Sequence, residues 1–342
     1  MFHAPLVVAA GLDLVAVSTA SRERAAQVSA EHPDALVVPD LAQLLDVPDL
    51  DLVVLASPSG VHAEQVRQVV ASGHAVVVDK PLAVDASSAL ELVDVAAHDG
   101  VPLTVFQNRR YDPEFRTMQA VLASGQLGDV LRAELRWERW RPVSRERWRE
   151  NASPKEGGGI LLDLFTHLVD QAVIMFGPVL TVYGEVASHT TTADDTGFLS
   201  CTHEGGVVSH LGATSVSAAP GPRVRLLGNR AAYLMAAQEG EETAFTEWQP
   251  ADEGHIGWLV RGSERTPVPA QHGNQADFYR EVAVALRAPE PQAAMPVDPR
   301  ESVHVLAVLD AARISATNAS VVEVLTPGDA PSARRVATAR PR

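Results

Sequence analysis

The chain has 342 residues, 46% of them hydrophobic, which is enough for two domains with a sizeable core. Its 43 acidic residues against 28 basic ones give a formal charge of -15, which excludes a nucleic-acid binder that relies on a basic footprint. One cysteine, Cys201, excludes an internal disulfide and a cysteine metal cluster, so no metal is expected and a reducing, cytoplasmic compartment is the simple reading.

The first third alternates short apolar runs with helical patterns. The stretch Phe2 to Ala20 is apolar, but it lacks a basic leader and is broken by Asp13, so it makes a poor signal peptide. Leu12 to Val17 predicts a strand, Arg22 to Glu31 a helix, Leu36 to Val38 a strand and Leu41 to Leu45 a short helix. Leu50 to Ala56 is continuously apolar, as a strand covered on both faces should be. His62 to Ser72 predicts a helix closed by Gly73. Ala75 to Val78 is the next strand, Asp85 caps a helix through His98, and Leu103 to Phe106 is a further strand. This rhythm predicts a doubly wound parallel sheet.

After a helix around Pro113 to Ala123, strands predominate. Val130 to Trp140 alternates Leu131, Ala133, Leu135 and Trp137 with Arg132, Glu134, Arg136 and Glu138, the pattern of a half-exposed strand. Further strands are predicted at Leu180–Val186, Thr196–Thr202, Val207–Leu211 and Arg223–Leu227, with one helix, Leu161–Phe176, embedded among them. Helices at about Gln275–Arg287 and Glu301–Thr317 close the chain. The expected organisation is α/β. Residues 1–118 form a nucleotide-binding domain, 119–326 an α+β substrate domain with an open, mainly antiparallel sheet, and 327–342 a flexible tail.

Three constellations carry polar chemistry. On the embedded helix, Asp163, Thr166, His167 and Asp170 fall at spacings that share one face, with Leu161, Leu164 and Leu168 opposite. They read either as a histidine base with a carboxylate beside it or as an ordinary amphipathic helix. Gly157 to Gly159 precede them and can let a ligand approach the backbone. Asp79-Lys80-Pro81 follows a strand, where ligands bind in doubly wound sheets. Lys80 and Lys155 are the chain's two lysines. A lysine that survives an arginine-rich composition marks a place where a group able to titrate is needed, and Lys155, beside Pro154 and Gly157, reads as chance. Ser57-Pro58-Ser59-Gly60-Val61-His62 ends the preceding strand, where a turn can offer its backbone to a nucleotide.

The series SPSGVH, DKP, QNRRYDPEF and GGGILLDLFTHLVDQ, in this order and spacing, resembles the Gfo/Idh/MocA oxidoreductases. FHAP near the start, NRRYDPEF and RWRPVSRERWRE make it most similar to their NADP-dependent scyllo-inositol dehydrogenase group. The resemblance implies hydride exchange between a nicotinamide and a CHOH group of a polyol, inositol or sugar-like substrate. It implies Lys80, Asp163 and His167 as catalytic residues. His167 would take the hydroxyl proton, Lys80 would bond or relay at the reacting oxygen, and Asp163 would hold the substrate or His167. Cofactor contacts would come from Ser18, Ser21, Arg22, Ser57, Pro58, His62, Asp79, Lys80 and Gln107.

Asp79 stands where the family has glutamate, and Phe165 where many members have glycine, which is expected to narrow the pocket. Ser18, Thr19, Ala20, Ser21 and Arg22 offer hydroxyls and a cation but no carboxylate, which suits the 2′-phosphate of NADP better than the ribose of NAD. The family opens with a strand and a G-x-G-x-x-G loop, and Met1 and Phe2 stand where that loop has already passed into its helix. A strand and loop of about 10–15 residues therefore have no counterpart here. Either the start is assigned late, or the parallel sheet closes its gap and the product is not an efficient enzyme. A non-catalytic sensor on the same fold is the alternative. Arg139, Arg141, Arg145, Arg147 and Arg149 read as a solvated segment interleaved with glutamates, or as a border of the substrate or of a subunit contact. The resemblance also implies a homo-oligomer paired through the open sheet face, with no nucleic-acid or membrane partner.

Overall fold

The computed structural model describes residues 2–141, 143, 148–237, 243, 245–249 and 254–328. Its first third runs α1 (His3–Ala9), β1 (Ala16–Ser18), α2 (Arg22–Glu31), β2 (Leu36–Val38), α3 (Leu41–Leu45), β3 (Leu52–Leu55), α4 (His62–Ala71), β4 (Ala75–Asp79), α5 (Ala86–Asp99) and β5 (Leu103–Phe106). Strand β4 is central in a parallel ladder β3-β4-β5. Its run Ala75–Val78 is buried throughout, because helices and neighbouring strands leave it no open face. Asp85 caps α5 by accepting the Ser88 N–H at 2.7 Å, and Gly100 ends it in the left-handed region at φ 68°. Strands β1 and β2 pair in a separate parallel ladder. Among the described residues no strand joins the two ladders, so the sheet has not closed into one piece.

The rest of the chain runs α6 (Pro113–Ala123), β6 (Val130–Glu138), α7 (Trp148–Asn151), a π turn (Leu161–Phe165), α8 (Thr166–Phe176), β7 (Val179–Ala187), β8 (Thr196–His203), β9 (Val208–Thr214), β10 (Val224–Gly228), β11 (Ala232–Met235), β12 (His255–Arg261), β13 (Glu264–Pro269), α9 (Ala276–Ala285), α10 (Pro291–Ala294), α11 (Pro299–Asn318) and β14 (Val322–Glu323). One mixed sheet takes all these strands in the order β13-β12-β11-β10-β6-β9-β8-β7-β14. Every pairing is antiparallel except β6 with β9. The predicted alternation holds over three of its four apolar positions on β6: Ala133, Leu135 and Trp137 are buried on the inner face, whereas Leu131, near the start of the strand, is 61% exposed. Glu134, on the other face, is also buried, because Arg136 and Arg225 each reach its Oε2 at 2.9 Å.

Helix α11 lies between the two layers and packs on α5, α8 and β7. Its Asp310 accepts the Ala86 N–H at 2.9 Å, which ties it to the start of α5. On α10, the Gln292 amide accepts the Leu103 N–H at 2.8 Å and donates to the Leu103 carbonyl at 3.2 Å. A side chain thus satisfies backbone groups of β5 on the edge where, among the described residues, no further strand pairs. No described helix is long and apolar enough to cross a membrane. Arg145, Arg147 and nearly all of the expected tail lie outside the described residues.

Candidate active site

Lys80 leaves the end of β4 with a cis bond to Pro81. Its side chain, 9% exposed, crosses to the second layer. There its Nζ donates to the Asp163 carbonyl at 2.5 Å and lies 3.2 Å from Asp163 Oδ1. Behind it, both ring nitrogens of the buried His62 lie against backbone carbonyls, Nδ1 at 2.8 Å from Pro81 O and Nε2 at 2.9 Å from Ser57 O. The imidazole therefore ties the turn after β3 to the turn that carries Lys80. Asp79 Oδ1 accepts the Lys80 N–H at 2.9 Å, and its Oδ2 lies 3.8 Å from His3 Nε2.

Asp163 sits in a π turn, not in the regular helix that its spacing predicts. The cause lies in the preceding residues. Asp194 accepts the Ile160 N–H with its carbonyl and the Leu161 N–H with its carboxylate, both at 2.8 Å. Gly159, at φ 95°, has the Asp194 carboxylate where a Cβ would stand. Only glycine fits that backbone conformation beside that neighbour. The glycine run thus makes room for protein rather than for a ligand, which corrects the expectation drawn from it. Gly60 is equally constrained, with the Glu156 carbonyl 2.6 Å from its would-be Cβ, so the SPSG turn meets the second layer backbone to backbone.

The wider turn changes which side chains share a face. Asp163, Leu164 and His167 line one cleft of about 200 Å³ together with Lys80. Regular helical spacing predicts Leu164 on the opposite side. Thr166 instead bonds back to the Leu162 carbonyl at 3.1 Å, and Asp170 takes the Arg110 guanidinium at 2.5 and 2.8 Å. The predicted four-residue polar face is therefore split between site and scaffold. Phe165 does not narrow the cleft. It is fully buried, and its ring packs against Gly197.

Several cleft residues escape sequence reasoning. Trp137 reads as core because it alternates in step with Ala133 and Leu135, yet it borders the cleft with its ring 5.8 Å from that of His167. Three guanidinium groups pack on this indole, from Arg223 at 4.1 Å, Arg109 at 4.7 Å and Arg139 at 5.1 Å. Asn108 and Arg109, from the QNRRYDPEF motif, also line the cleft, as do Arg139 and Arg149, for which bordering the substrate is one of the two readings of the arginine segment. Their motifs are visible in the sequence, but their direction is not.

The electrostatics follow from burial and these cations. Burial, then the charges of Lys80, Arg109, Arg223 and Arg139, hold His167 well below the ordinary histidine value, so its ring is neutral at neutral pH. His167 Nδ1 is buried with no partner among the described residues. Burial pushes the Asp163 carboxyl up, but Lys80 and Arg149 outweigh it and hold the group below the usual carboxylate range. Asp79 is likewise ionised, its burial outweighed by His3 and Lys80. The arrangement is a neutral imidazole beside an ammonium that is held by a carboxylate, a set able to accept one proton and to donate a hydrogen bond.

The remaining expected cofactor residues are scattered along one edge of the parallel layer. Ser18 ends β1 and is exposed. Ser21 caps α2, its Oγ accepting the Arg24 N–H at 3.3 Å, and Arg22 is exposed in the first turn. Ser57 Oγ is bonded to Gln65 at 2.5 Å, and Pro58 is exposed. Gln107 is 2% exposed, with Oε1 buried and unpartnered. None of these, nor His62, lines the cleft itself. Both ring nitrogens of His62 face backbone carbonyls, whereas Ser21 Oγ accepts a backbone N–H and keeps its own O–H as a donor.

Comparison with known proteins agrees with this geometry. Residues 1–107 match the oxidoreductase family with an NAD-binding Rossmann fold, and residues 115–234 match the GFO/IDH/MocA C-terminal domain. The scyllo-inositol 2-dehydrogenase (NADP(+)) IolW of Bacillus subtilis is 29% identical over 91% of this chain and 89% of its own length. The uncharacterized oxidoreductase YdgJ of Escherichia coli is 30% identical over 90% of each. The solved structure of the Bacillus subtilis protein yvaA superposes with a TM-score of 0.82 at 28% identity, covering 95% of this chain and 94% of that one. With two layers that match the family's two domains and a lysine, an aspartate and a histidine meeting between them, the chain belongs to the Gfo/Idh/MocA oxidoreductases.

Proposed function

We propose that this protein is a dehydrogenase or reductase that exchanges hydride between NADP(H) and a CHOH group of a polyol, inositol or sugar-like substrate. The observation that carries the reading is the meeting of Lys80, Asp163 and His167 in one cleft. A nicotinamide, when bound, supplies or accepts the hydride. In the oxidation direction the neutral His167 takes the hydroxyl proton, since burial and nearby cations leave the ring basic nitrogen free of a proton. Lys80 donates a hydrogen bond to the reacting oxygen, and Asp163 holds the ammonium in place. Asp163 thus acts on Lys80, a different partner from the substrate or His167.

Residues around the crevice fit such a cofactor. The orphaned, buried His167 Nδ1 and Gln107 Oε1 leave polar atoms to be satisfied. Asp79, Lys80 and the Ser57-Pro58 turn stand at the carboxyl ends of β3 and β4, where a dinucleotide lies in this fold class. Ser18, Ser21 and Arg22 stand at the end of β1 without a carboxylate, which favours a 2′-phosphate and agrees with the NADP(+) in the name of the IolW relative. Val208 and Leu227 flank Arg132 on the outer face of the large sheet, with the exposed Leu131 beside them, and this is the surface we assign to pairing with a second copy.

Fluorescence titration with NADPH and NADH tests the reading. Saturable NADPH binding, tighter than that of NADH, is expected. A chain that binds neither would overturn the enzyme reading in favour of a sensor on this fold.

A further inference from the structure

Two glycines on opposite layers face each other where the layers touch. Gly60, in the turn after β3, has the Glu156 carbonyl oxygen 2.6 Å and its carbon 2.9 Å from where a Cβ would stand. Gly157, at φ 86°, has the Ser59 Cβ 2.7 Å and the Gly60 nitrogen 3.0 Å from its own. At Gly60 the neighbour is backbone, so no side chain can turn aside. Each half of this seam is also held rigidly. On the second layer, Glu156 Oε2 accepts the Ser153 N–H at 2.9 Å and the Ser153 O–H at 2.7 Å, a capping box that fixes the short turn carrying the Glu156 carbonyl. From Gly157 the chain passes through Gly159, whose Cβ position is taken by the Asp194 carboxylate, into the π turn that bears Asp163. On the first layer, the His62 ring bridges the Ser57 and Pro81 carbonyls at 2.9 and 2.8 Å, so the turn that bears Gly60 moves with the turn that bears Lys80.

Lys80 and Asp163 belong to different layers, so their contact at 2.5 and 3.2 Å exists at one spacing of those layers. We propose that Gly60 and Gly157 are positioning residues that set this spacing, so that Lys80 Nζ meets Asp163 and stands where the reacting oxygen is bound. Atoms in ordinary contact stay about 3.5 Å apart, so one methyl group added at Gly60 parts the layers by about 1 Å. Packed interiors transmit such a step rather than absorb it, and a misplacement of about 1 Å at reacting groups costs roughly 100-fold in rate. This rests on the reading of Lys80 and Asp163 as acting at the reacting oxygen, and it extends that reading to two residues that do not line the cleft.

Gly60→Ala is the test. Gly60 lacks the positive φ of Gly157, so alanine there brings the contact without backbone strain. Lys80 and Lys155 are the only lysines, so the full chain labelled with carbon-13 lysine gives two Cε–Hε signals in nuclear magnetic resonance, assigned by Lys155→Arg. The Lys80 signal is expected to lie apart from that of an exposed lysine. In Gly60→Ala it should move towards the exposed position while the circular dichroism spectrum stays native. Gly205→Ala, where the atom nearest the added Cβ is 3.9 Å away, should leave it in place. If Gly60→Ala fails to fold, Ser153→Ala decides instead, because it loosens the capping box at an exposed residue. A Lys80 signal unmoved by the deciding variant would overturn the proposal. In turnover, Gly60→Ala should lower kcat by about 100-fold and leave NADPH affinity unchanged. An unchanged kcat with a displaced signal would equally overturn it, as would a loss confined to NADPH affinity, because the turn would then serve the cofactor. Absence of hydride transfer in the parent chain would sink the proposed function, yet the Lys80 signal would still report the spacing.

Discussion

At the scale of single residues, the site depends on which form each group takes. Lys80 is 9% exposed and wedged against Asp163, where a longer, planar and permanently charged guanidinium neither fits nor relays a proton. Lys80→Arg should lower kcat by about 100-fold or more while the circular dichroism spectrum stays native. Unchanged turnover would remove Lys80 from the chemistry. His167 makes a second prediction. Because burial and four cations hold it well below 6.5, its base form survives acidification. The kcat/KM for alcohol oxidation should stay level as pH drops through 6.5 and bend only well below it. A bend at or above that value would place the base elsewhere. Lys80 and His167 stand out in the sequence through composition and motif. Trp137 does not, because an inward-facing aromatic on a strand reads as core until the neighbouring guanidinium groups are seen.

At the scale of elements, the embedded helix shows what spacing can and cannot decide. Its polar residues recur at helical intervals, but the π turn enforced by Asp194 and Gly159 re-aims the first of them. Asp170 consequently serves the scaffold. Its carboxylate, 3% exposed, binds Arg110, which also reaches Glu301 on α11 at 2.7 Å. Asp170→Ala leaves that buried guanidinium short of a partner and should cost about 3–5 kcal/mol in urea unfolding. A loss under about 1 kcal/mol would show that Glu301 and water compensate fully. The strands that sequence pattern misses have a comparable cause. Strands β11 to β13 are short or half exposed, and β14 spans Val322–Glu323 alone, so no period-two pattern stands out in them. The parallel β6–β9 pairing is also invisible in pattern, since alternation specifies a face and not a neighbour.

At the scale of the molecule, buried histidines set the acid limit. Burial lowers His62, His167 and His203 below the ordinary value of 6.5, the hydrogen bonds of His62 and His203 to backbone carbonyls notwithstanding. Each binds more protons unfolded than folded between its folded value and 6.5, so its contribution is complete above 6.5 and is lost as pH falls below it. Asp79 and Asp163, also lowered, give way later, as pH falls below 3.8. Asp194 and Asp310, raised by burial, act in the opposite sense. The net expectation is a melting temperature that falls between about pH 7 and pH 5 in scanning calorimetry. An equal or higher value at the lower pH would mean that the histidines are accommodated as cations, which the two carbonyls facing His62 would then explain.

The sequence by itself determined the two-layer plan, the buried strand β4, the caps of α5 and the ordered motifs that mark Lys80, Asp163 and His167. These depend on local propensity, on periodicity and on motif, all of which act within a short stretch of chain. Only the tertiary structure decided that Asp163 holds Lys80, that Asp170 belongs to the scaffold, that Gly60 and Gly159 make room for protein, and that arginines from three segments converge on Trp137. Those outcomes depend on contacts between residues far apart in the chain, where direction and burial, rather than residue type, decide what a side chain can do.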